Sequence, residues 1–582
     1  MKALRFFGRV VRGLILALGS VLATIIVVVA GLWLFAAPTE KEVQFGSVLV
    51  LTLDRGLSET PGVGPFNYFV RQSRPTMRDT LDALEQAADD SNIIGVVADL
   101  GQARLSLAQV QELRGALDRF RASGKTAYAY ADVFGNGAYY LATAFDEIWM
   151  QPTGDFQVVG LAGDVPFARD LLDKAGIEPR FAKFEEFKSA FDTFLDDEMS
   201  EPFRQSLESL LESLSSQMVA GIAERRRMDE ATVRRLIDRA PFTGAEAKDA
   251  GLVDHAGYWH DLTLHVGKYA PRIGVADYVA RAGRPNDEGR TIAVVYGAGQ
   301  ITRGTPERGP LQGGIAISGR KMSAALRDAE DDDDVEAIVL RIDSGGGSYV
   351  GSDAIWHTVR EIEKPVIVSM AGAAASGGYF IAAPADKIVA LPATVTGSIG
   401  VIGGKFVAAD LWSKLGVTWE EVSTGENAAM FSPNRDFSAR QWEDFQSTMA
   451  LTYDDFVSKV AEGRNLSPEA AREHAKGRVW TGAQALERGL VDALGGFDTA
   501  IGLARESAGI GPDDDIELVT FPRRKPFDAV AALLEYSKEM SVVLNDLAAV
   551  ADAWTRLRPM VQDAVIQPDD TLLAISPIID IR

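Results

Sequence analysis

The stretch Ala337-Ile338-Val339-Leu340-Arg341-Ile342-Asp343-Ser344-Gly345-Gly346-Gly347-Ser348 reads as an apolar, β-branched strand closed by a glycine turn. A helical pattern follows from Ser352 to Glu363, and then a second strand, Val366-Ile367-Val368-Ser369-Met370. Ile292-Ala293-Val294-Val295-Tyr296 is an upstream run of the same kind. Short apolar strands alternating with helices predict an α/β fold of parallel strands and crossover helices. Active sites in such sheets lie at the carboxyl ends of strands, where the glycine turn falls.

Downstream of the second strand, Ala373-Ala374-Ala375-Ser376-Gly377-Gly378-Tyr379-Phe380 surrounds a serine with little bulk. A substrate carbonyl could approach the Ser376 hydroxyl and the amides that open the next helix, Gly377 first. Small residues of this kind also mark places where two helices pack closely, so the run alone leaves both readings open.

The chain repeats itself. Tyr139-Tyr140-Leu141-Ala142 with Asp146 matches Tyr379-Phe380-Ile381-Ala382 with Asp386 at an offset of 240. Thr243-Gly244-Ala245-Glu246-Ala247 and Gly251-Leu252-Val253-Asp254 match Thr481-Gly482-Ala483-Gln484-Ala485 and Gly489-Leu490-Val491-Asp492 at 238. Two homologous domains are expected, 45–280 and 292–520, joined by a polar linker, 281–291. The copies differ where chemistry is expected. Asn136 stands in the place of Ser376, and the strand 95–100 runs into Gly101-Gln102-Ala103-Arg104-Leu105 instead of a glycine turn. Conversely, Lys188 falls opposite Ala428. The first copy can thus contribute a lysine and the second a serine.

A serine hydroxyl needs a base within hydrogen-bond reach, and a lysine serves only if burial lowers its ordinary pKa of about 10.4. Phe184, Phe187 and Phe191 flank Lys188 and offer an apolar pocket; Glu185 and Glu186 suit a solvated lysine equally well. Lys183 is the neighbouring rival. For a Ser-His-Asp triad, His357 on the helix after the glycine turn is the histidine near the expected site in sequence. His260 and His265 lack the HExxH pattern of a metal site, and no metal or other cofactor is expected.

A formal charge of -23 argues against a nucleic-acid partner, and the absence of cysteine excludes disulfides and thiolate chemistry. Lys2, Arg5, Arg9 and Arg12 form a basic segment, 1–12, before an uncharged apolar stretch, 13–38. That stretch exceeds the roughly 20 residues needed to cross a bilayer. A single-pass anchor with a cytoplasmic N-terminus is expected from the positive charge, placing the bulk of the chain on the far side, which is the periplasm where the membrane is the inner membrane of a Gram-negative bacterium. The extension 521–582 carries a largely helical pattern through Val530, Leu533, Leu534, Val542, Leu547 and Trp554.

Ala374-Ala375-Ser376-Gly377-Gly378-Tyr379, Thr396-Gly397-Ser398-Ile399-Gly400, the glycine turn and Lys188-Ser189-Ala190 together resemble signal peptide peptidase A, or protease IV, in its long tandem-domain form. The resemblance spans about residues 45 to 520. It implies two tandem domains of the Clp protease/crotonase fold, a Ser-Lys dyad, a homotetramer, and degradation of signal peptides left in the membrane after release from preproteins. By motif, Ser376 is the nucleophile, Lys188 the general base, Gly347 an oxyanion donor, and Ser398 the residue that positions the lysine. Signal peptides are apolar, and the backbone around 371–375 and 395–402 is expected to offer free strand edges to them. Two departures from the family pattern are present: Gly345 replaces a proline in the turn, and Asp192-Thr193 replaces a Glu-Pro pair after the lysine motif. The competing reading is a catalytically silent membrane scaffold of the same fold; an acyl-CoA enzyme of the crotonase type is more distant.

Overall fold

The computed structural model describes residues 42–53, 56–60, 75–304 and 316–523. The segments 1–12 and 13–38 and nearly all of the extension 521–582 lie outside the described residues. Among the described residues, no helix is long and apolar enough to cross a membrane.

The first copy contributes β1 (Ser47–Thr52), β2 (Ile93–Asp99), β3 (Thr126–Gly135), β4 (Glu147–Gln157), β5 (Glu178–Lys183), β6 (Phe242–Thr243), β7 (His255–Ala256) and β8 (Arg272–Gly274). The second contributes β9 (Arg290–Ala298), β10 (Gln300–Thr302), β11 (Ala316–Ser318), β12 (Val335–Ser344), β13 (Val366–Ala375), β14 (Lys387–Ala390), β15 (Val395–Gly397), β16 (Ile402–Val407), β17 (Val479–Thr481), β18 (Ala493–Leu494) and β19 (Ile516–Phe521). The first sheet runs β6-β4-β3-β2-β1-β8 and the second β17-β15-β13-β12-β9-β19, the same order read by equivalent strands. Most neighbours are parallel, and one short antiparallel strand closes the same edge of each, β6 on β4 and β17 on β15. Parallel neighbours need crossover connections, which helices such as Leu107–Ala122 and Tyr349–Glu361 supply.

The repeat extends to individual buried contacts. Tyr139 Oη donates to the Leu252 carbonyl (2.7 Å) and Tyr379 Oη to that of Leu490 (2.8 Å). Asp254 accepts from the Ile148 amide (2.8 Å) and is paired with Arg226; Asp492 accepts from the Ile388 amide (2.7 Å) and is paired with Arg464. Burying the two tyrosine hydroxyls is tolerable because each donates to a carbonyl.

The helix after the glycine turn starts earlier than its apolar periodicity predicts, at Tyr349 instead of Ser352, because the Ser348 hydroxyl caps it by accepting from the Gly351 amide (3.2 Å). The expected free strand edges are also absent. Ala373–Ala375 pairs with Val395–Gly397, which is itself paired on its other side with Val479–Thr481. Further on, Ile402–Val407 pairs with Glu178–Lys183. Sequence alone does not reveal these partners because they lie up to 229 positions away in the chain.

One apolar core joins the copies. It contains Leu49, Val96, Phe134 and Tyr139 of the first and Ile292, Val339, Ile367 and Phe497 of the second. A second core, with Ile338, Leu340, Tyr379 and Phe456, lies on the other face of the second sheet. Within the joint interface Arg341 is 2% exposed and bonds Glu112 (2.6 Å), Glu59 (3.0 Å) and Ser369 (2.9 Å). Gln109 supports Glu59 (2.8 Å), and the Phe497 amide supports Glu112 (2.6 Å).

Candidate active site

Ser376 stands between β13 and the helix Gly377–Ala382, at φ 53° and ψ -120°. A side-chain-bearing residue seldom adopts positive φ, and such strain persists only where the surroundings hold it. Here the Ser376 amide donates to the Gly397 carbonyl (2.8 Å), and the Ser376 carbonyl accepts from Phe380 (2.9 Å). The turn presents the hydroxyl at the carboxyl end of the strand.

Lys188 reaches this point from the other copy. The antiparallel pair β5–β16 carries the first copy across the second, and the Phe184 amide donates to Val401 O (3.1 Å) and the Phe187 amide to Lys476 O (3.1 Å). The loop then delivers Lys188 Nζ to Ser376 Oγ (3.0 Å), Ser398 Oγ (3.0 Å) and the Ser398 carbonyl (2.8 Å). The residue is 4% exposed, and burial pulls its pKa down to about 8. Around neutrality a useful fraction of the amine is therefore uncharged. A neutral amine in this position donates its two hydrogens to the Ser398 oxygens and turns its lone pair to the Ser376 hydroxyl.

Of the flanking phenylalanines, Phe191 packs on Phe181 (ring centroids 4.6 Å apart), and Phe187 lies under the Arg478 guanidinium (5.0 Å). Two glycines make room for the lysine. A Cβ on Gly400 would stand 3.2 Å from Lys188 Cδ, and one on Gly477 would stand 2.6 Å from Lys188 Cβ. Gly477 also has φ +76°, and neither glycine belongs to a recognisable local motif except Gly400 at the end of Thr396–Gly400.

The glycine turn lies against the serine. Ile301 donates to the Gly346 carbonyl (2.9 Å) and accepts from the Ser348 amide (2.8 Å). This alternation turns the Gly347 amide to the opposite side. There, a Cβ on Gly377 would lie 3.2 Å from Gly347 N. The amide of Gly377 opens its helix and so has no intrahelical partner. Neither amide has a hydrogen-bond partner among the described residues. Gly346 touches the site more closely than either, since a Cβ there would stand 2.8 Å from Ser376 Cβ.

The rivals lie elsewhere. Lys183 pairs with the buried Asp192 (2.6 Å), His357 is exposed on its helix, and His255 and His265 share Glu147 (3.3 and 3.1 Å). In the first copy, Asn136 uses its amide on Gly160, donating to the carbonyl (2.8 Å) and accepting from the nitrogen (3.2 Å). That copy has no hydroxyl to activate at this place.

A model of peptidase family S49 matches residues 119–270 and again 358–511, once in each copy. The chain belongs to peptidase family S49. A Clp protease model matches 318–397, the part of this S49 chain that holds the glycine turn and Ser376. The S49 chain is 31% identical over 508 residues to "Serine protease SPPA, chloroplastic" of Arabidopsis thaliana, covering 84% of this chain and 73% of that one. It is 34% identical over 462 residues to "Protease 4" of Salmonella typhi (75% and 73%), and 32% identical over 459 residues to "Protease 4" of Haemophilus influenzae (74% and 72%). The S49 chain is a serine protease with a tandem Clp protease-like α/β fold, and the silent scaffold is not retained.

Proposed function

We propose that the chain is a membrane-anchored endopeptidase that degrades remnant signal peptides by a Ser-Lys dyad. The observation that carries this reading is the position of one buried amine, Lys188 Nζ, within 3.0 Å of Ser376 Oγ and held by both oxygens of Ser398. Neutral Lys188 takes the Ser376 hydroxyl proton as Oγ attacks the scissile carbonyl. The amides of Gly347 and Gly377 receive the developing oxyanion. The lysine then protonates the leaving amine, leaving an acyl-enzyme on Ser376. Water deprotonated by the same lysine releases the acyl group and restores the serine.

The backbone around Gly345, which has no neighbour near its Cβ direction, gives an extended peptide access to the serine. Similarity to a protein named "Putative signal peptide peptidase SppA" of Enterococcus faecium supports the substrate class, and the apolar stretch 13–38 supports anchoring, with the proteolytic domains periplasmic. The domain limits 45–280 and 292–520 and a homotetrameric assembly belong to the same reading. The test is incubation of the full chain in membranes with a synthetic signal peptide, followed by mass analysis of products. Cleavage within the apolar core by the parent and none by Ser376→Ala is expected; equal cleavage by both overturns the reading.

A further inference from the structure

The two copies carry different chemistry on one equivalent surface. In the first, the Ser47 amide donates to the Asn92 carbonyl (2.9 Å) and the Val48 amide to that of Pro271 (2.8 Å), so the segments entering β1, β2 and β8 lie side by side at the amino end of the sheet. Each holds an apolar side chain in water: Phe45 is 80% exposed, Tyr269 86% and Ile94 46%. The helix Trp259–Gly267 leads to the same end. Its Leu262 packs with Val48 and Val97 of the sheet, while Leu264 and Lys268, one turn apart, are exposed. Lys268 Nζ stands 5.3 Å from the centre of the Tyr269 ring, which joins the helix surface to the end of the sheet.

The second copy is the control. The irregular step between Ser47 and Val48, opposite Ile93 and Gly95, recurs between Thr291 and Ile292, opposite Val335 and Ala337. Ile94 therefore corresponds to Glu336, and Phe45 to Gly289. The Gly257 amide donates to Met150 O (2.8 Å) and the Gly495 amide to Ala390 O (2.9 Å), which aligns the helix Trp259–Gly267 with Phe497–Ser507 at the offset of 238. Leu264, Lys268 and Tyr269 then correspond to Gly502, Glu506 and Ser507, all exposed, and Glu336 is paired with Arg290. The same surface occurs once with glycine, serine and acidic residues and once with apolar, aromatic and cationic ones, so the fold itself does not call for the second version.

The origin of the chain says what covers it. Phe45 follows Pro38, the end of the apolar stretch 13–38, by seven residues. Fully extended, that length reaches at most about 25 Å, so the face bearing Phe45 stays within this distance of the bilayer that the stretch enters. Tyrosine and lysine beside leucine, isoleucine and phenylalanine suit the head-group layer, since rings and aliphatic stems enter it while the hydroxyl and the amine stay in water.

We infer that the face formed by Phe45, Ile94, Leu264, Lys268 and Tyr269 rests in the head-group layer of the membrane. A single span leaves the domains free to turn about the segment that follows it; this second contact fixes which end of the first sheet meets the lipid. The inference rests on the anchoring reading above and not on the dyad.

The chain has no cysteine, so single introduced cysteines report without background. Full-length Leu264→Cys and Tyr269→Cys, with Gly502→Cys as the equivalent site of the second copy, are labelled with nitrobenzoxadiazole and reconstituted into phosphatidylcholine vesicles that contain a lipid with a nitroxide head group. Expected is quenching at the two first-copy sites at least severalfold above that at the second-copy site, with signal-peptide hydrolysis retained as the check on folding. Equal quenching at the three sites overturns the proposed face. First-copy labels shielded from aqueous iodide but not quenched by the nitroxide lipid overturn it as well, because a protein surface then covers them. Flotation of the parent with the vesicles separates the two readings: a chain that floats while its labels stay unquenched sinks this face alone, whereas a chain that does not float sinks the anchoring reading with it.

Discussion

Lys188 and Ser376 lie 188 positions apart in the chain and 3.0 Å apart in space, and each is contributed by the copy that lacks the other. At the equivalent positions the first copy has Asn136 in place of Ser376 and the second has Ala428 in place of Lys188. The functional unit is therefore the interface between copies, and whatever holds that interface holds the site.

Burial of Lys188 opposes folding, and this can be measured. Its folded pKa of about 8 lies below the unfolded value near 10.4. Between those values the unfolded chain holds a proton that the folded chain does not, so stability rises with pH across that window, and the full penalty applies below it. Lys188→Met should raise stability by about 1–3 kcal/mol at pH 7, with the gain vanishing toward pH 10. Melting temperatures of parent and variant in detergent at the two pH values check this; a variant less stable at pH 7 contradicts it.

Removing the Ser398 hydroxyl should loosen the lysine without abolishing chemistry, because the Ser398 carbonyl still accepts from Nζ at 2.8 Å. Ser398→Ala should lower kcat about tenfold, the worth of one hydrogen bond to a group that becomes charged, with KM little changed. A loss as deep as that of Ser376→Ala would give Ser398 a larger role than positioning.

Adjacent glycines of the turn should behave differently. Gly346 has φ +103°, and a Cβ there would stand 2.7 Å from Gly377 N and 2.8 Å from Ser376 Cβ; around Gly345 nothing lies within 4 Å. Gly346→Ala should cost at least about 100-fold in kcat/KM by moving the serine or its oxyanion donors, whereas Gly345→Ala should stay within about threefold. Peptide hydrolysis by the two variants at equal concentration decides the point.

Arg341 anchors the strand that carries the glycine turn to the first copy through Glu59 and Glu112. Arg341→Leu leaves two buried carboxylates without their cation and should destabilise the chain by about 3–5 kcal/mol. A substantial drop in melting temperature is expected, and an unchanged one would show that the two copies are held by their apolar contacts alone.

Much of this arrangement was legible in the sequence because it is local or repeated. The strand ending at Ser344, the glycine turn and the small residues around Ser376 are contiguous, and Lys188 stood out because Ala428 occupies its place in the other copy. Apart from the Lys188–Ser376 pair, contacts made across the copies were not legible. Periodicity cannot show that Gly477 makes space for Lys188, that Arg341 points at Glu59, or that β5 finds its partner in β16, since each pair is brought together only by the docking of two domains. The phenylalanines beside Lys188 also have neighbours that sequence does not reveal, Phe181 for Phe191 and Arg478 for Phe187.

The central claim, that a buried neutral lysine activates Ser376, is tested most directly by the pH dependence of signal-peptide hydrolysis between pH 6 and 10. The account predicts that kcat/KM of the parent rises through a single ionisation near 8 to a plateau. It also predicts that Lys188→Ala and Ser376→Ala each lose at least about 1,000-fold across the range. A rate that is flat through pH 8, or a Lys188→Ala variant that keeps the parent's profile, would contradict it.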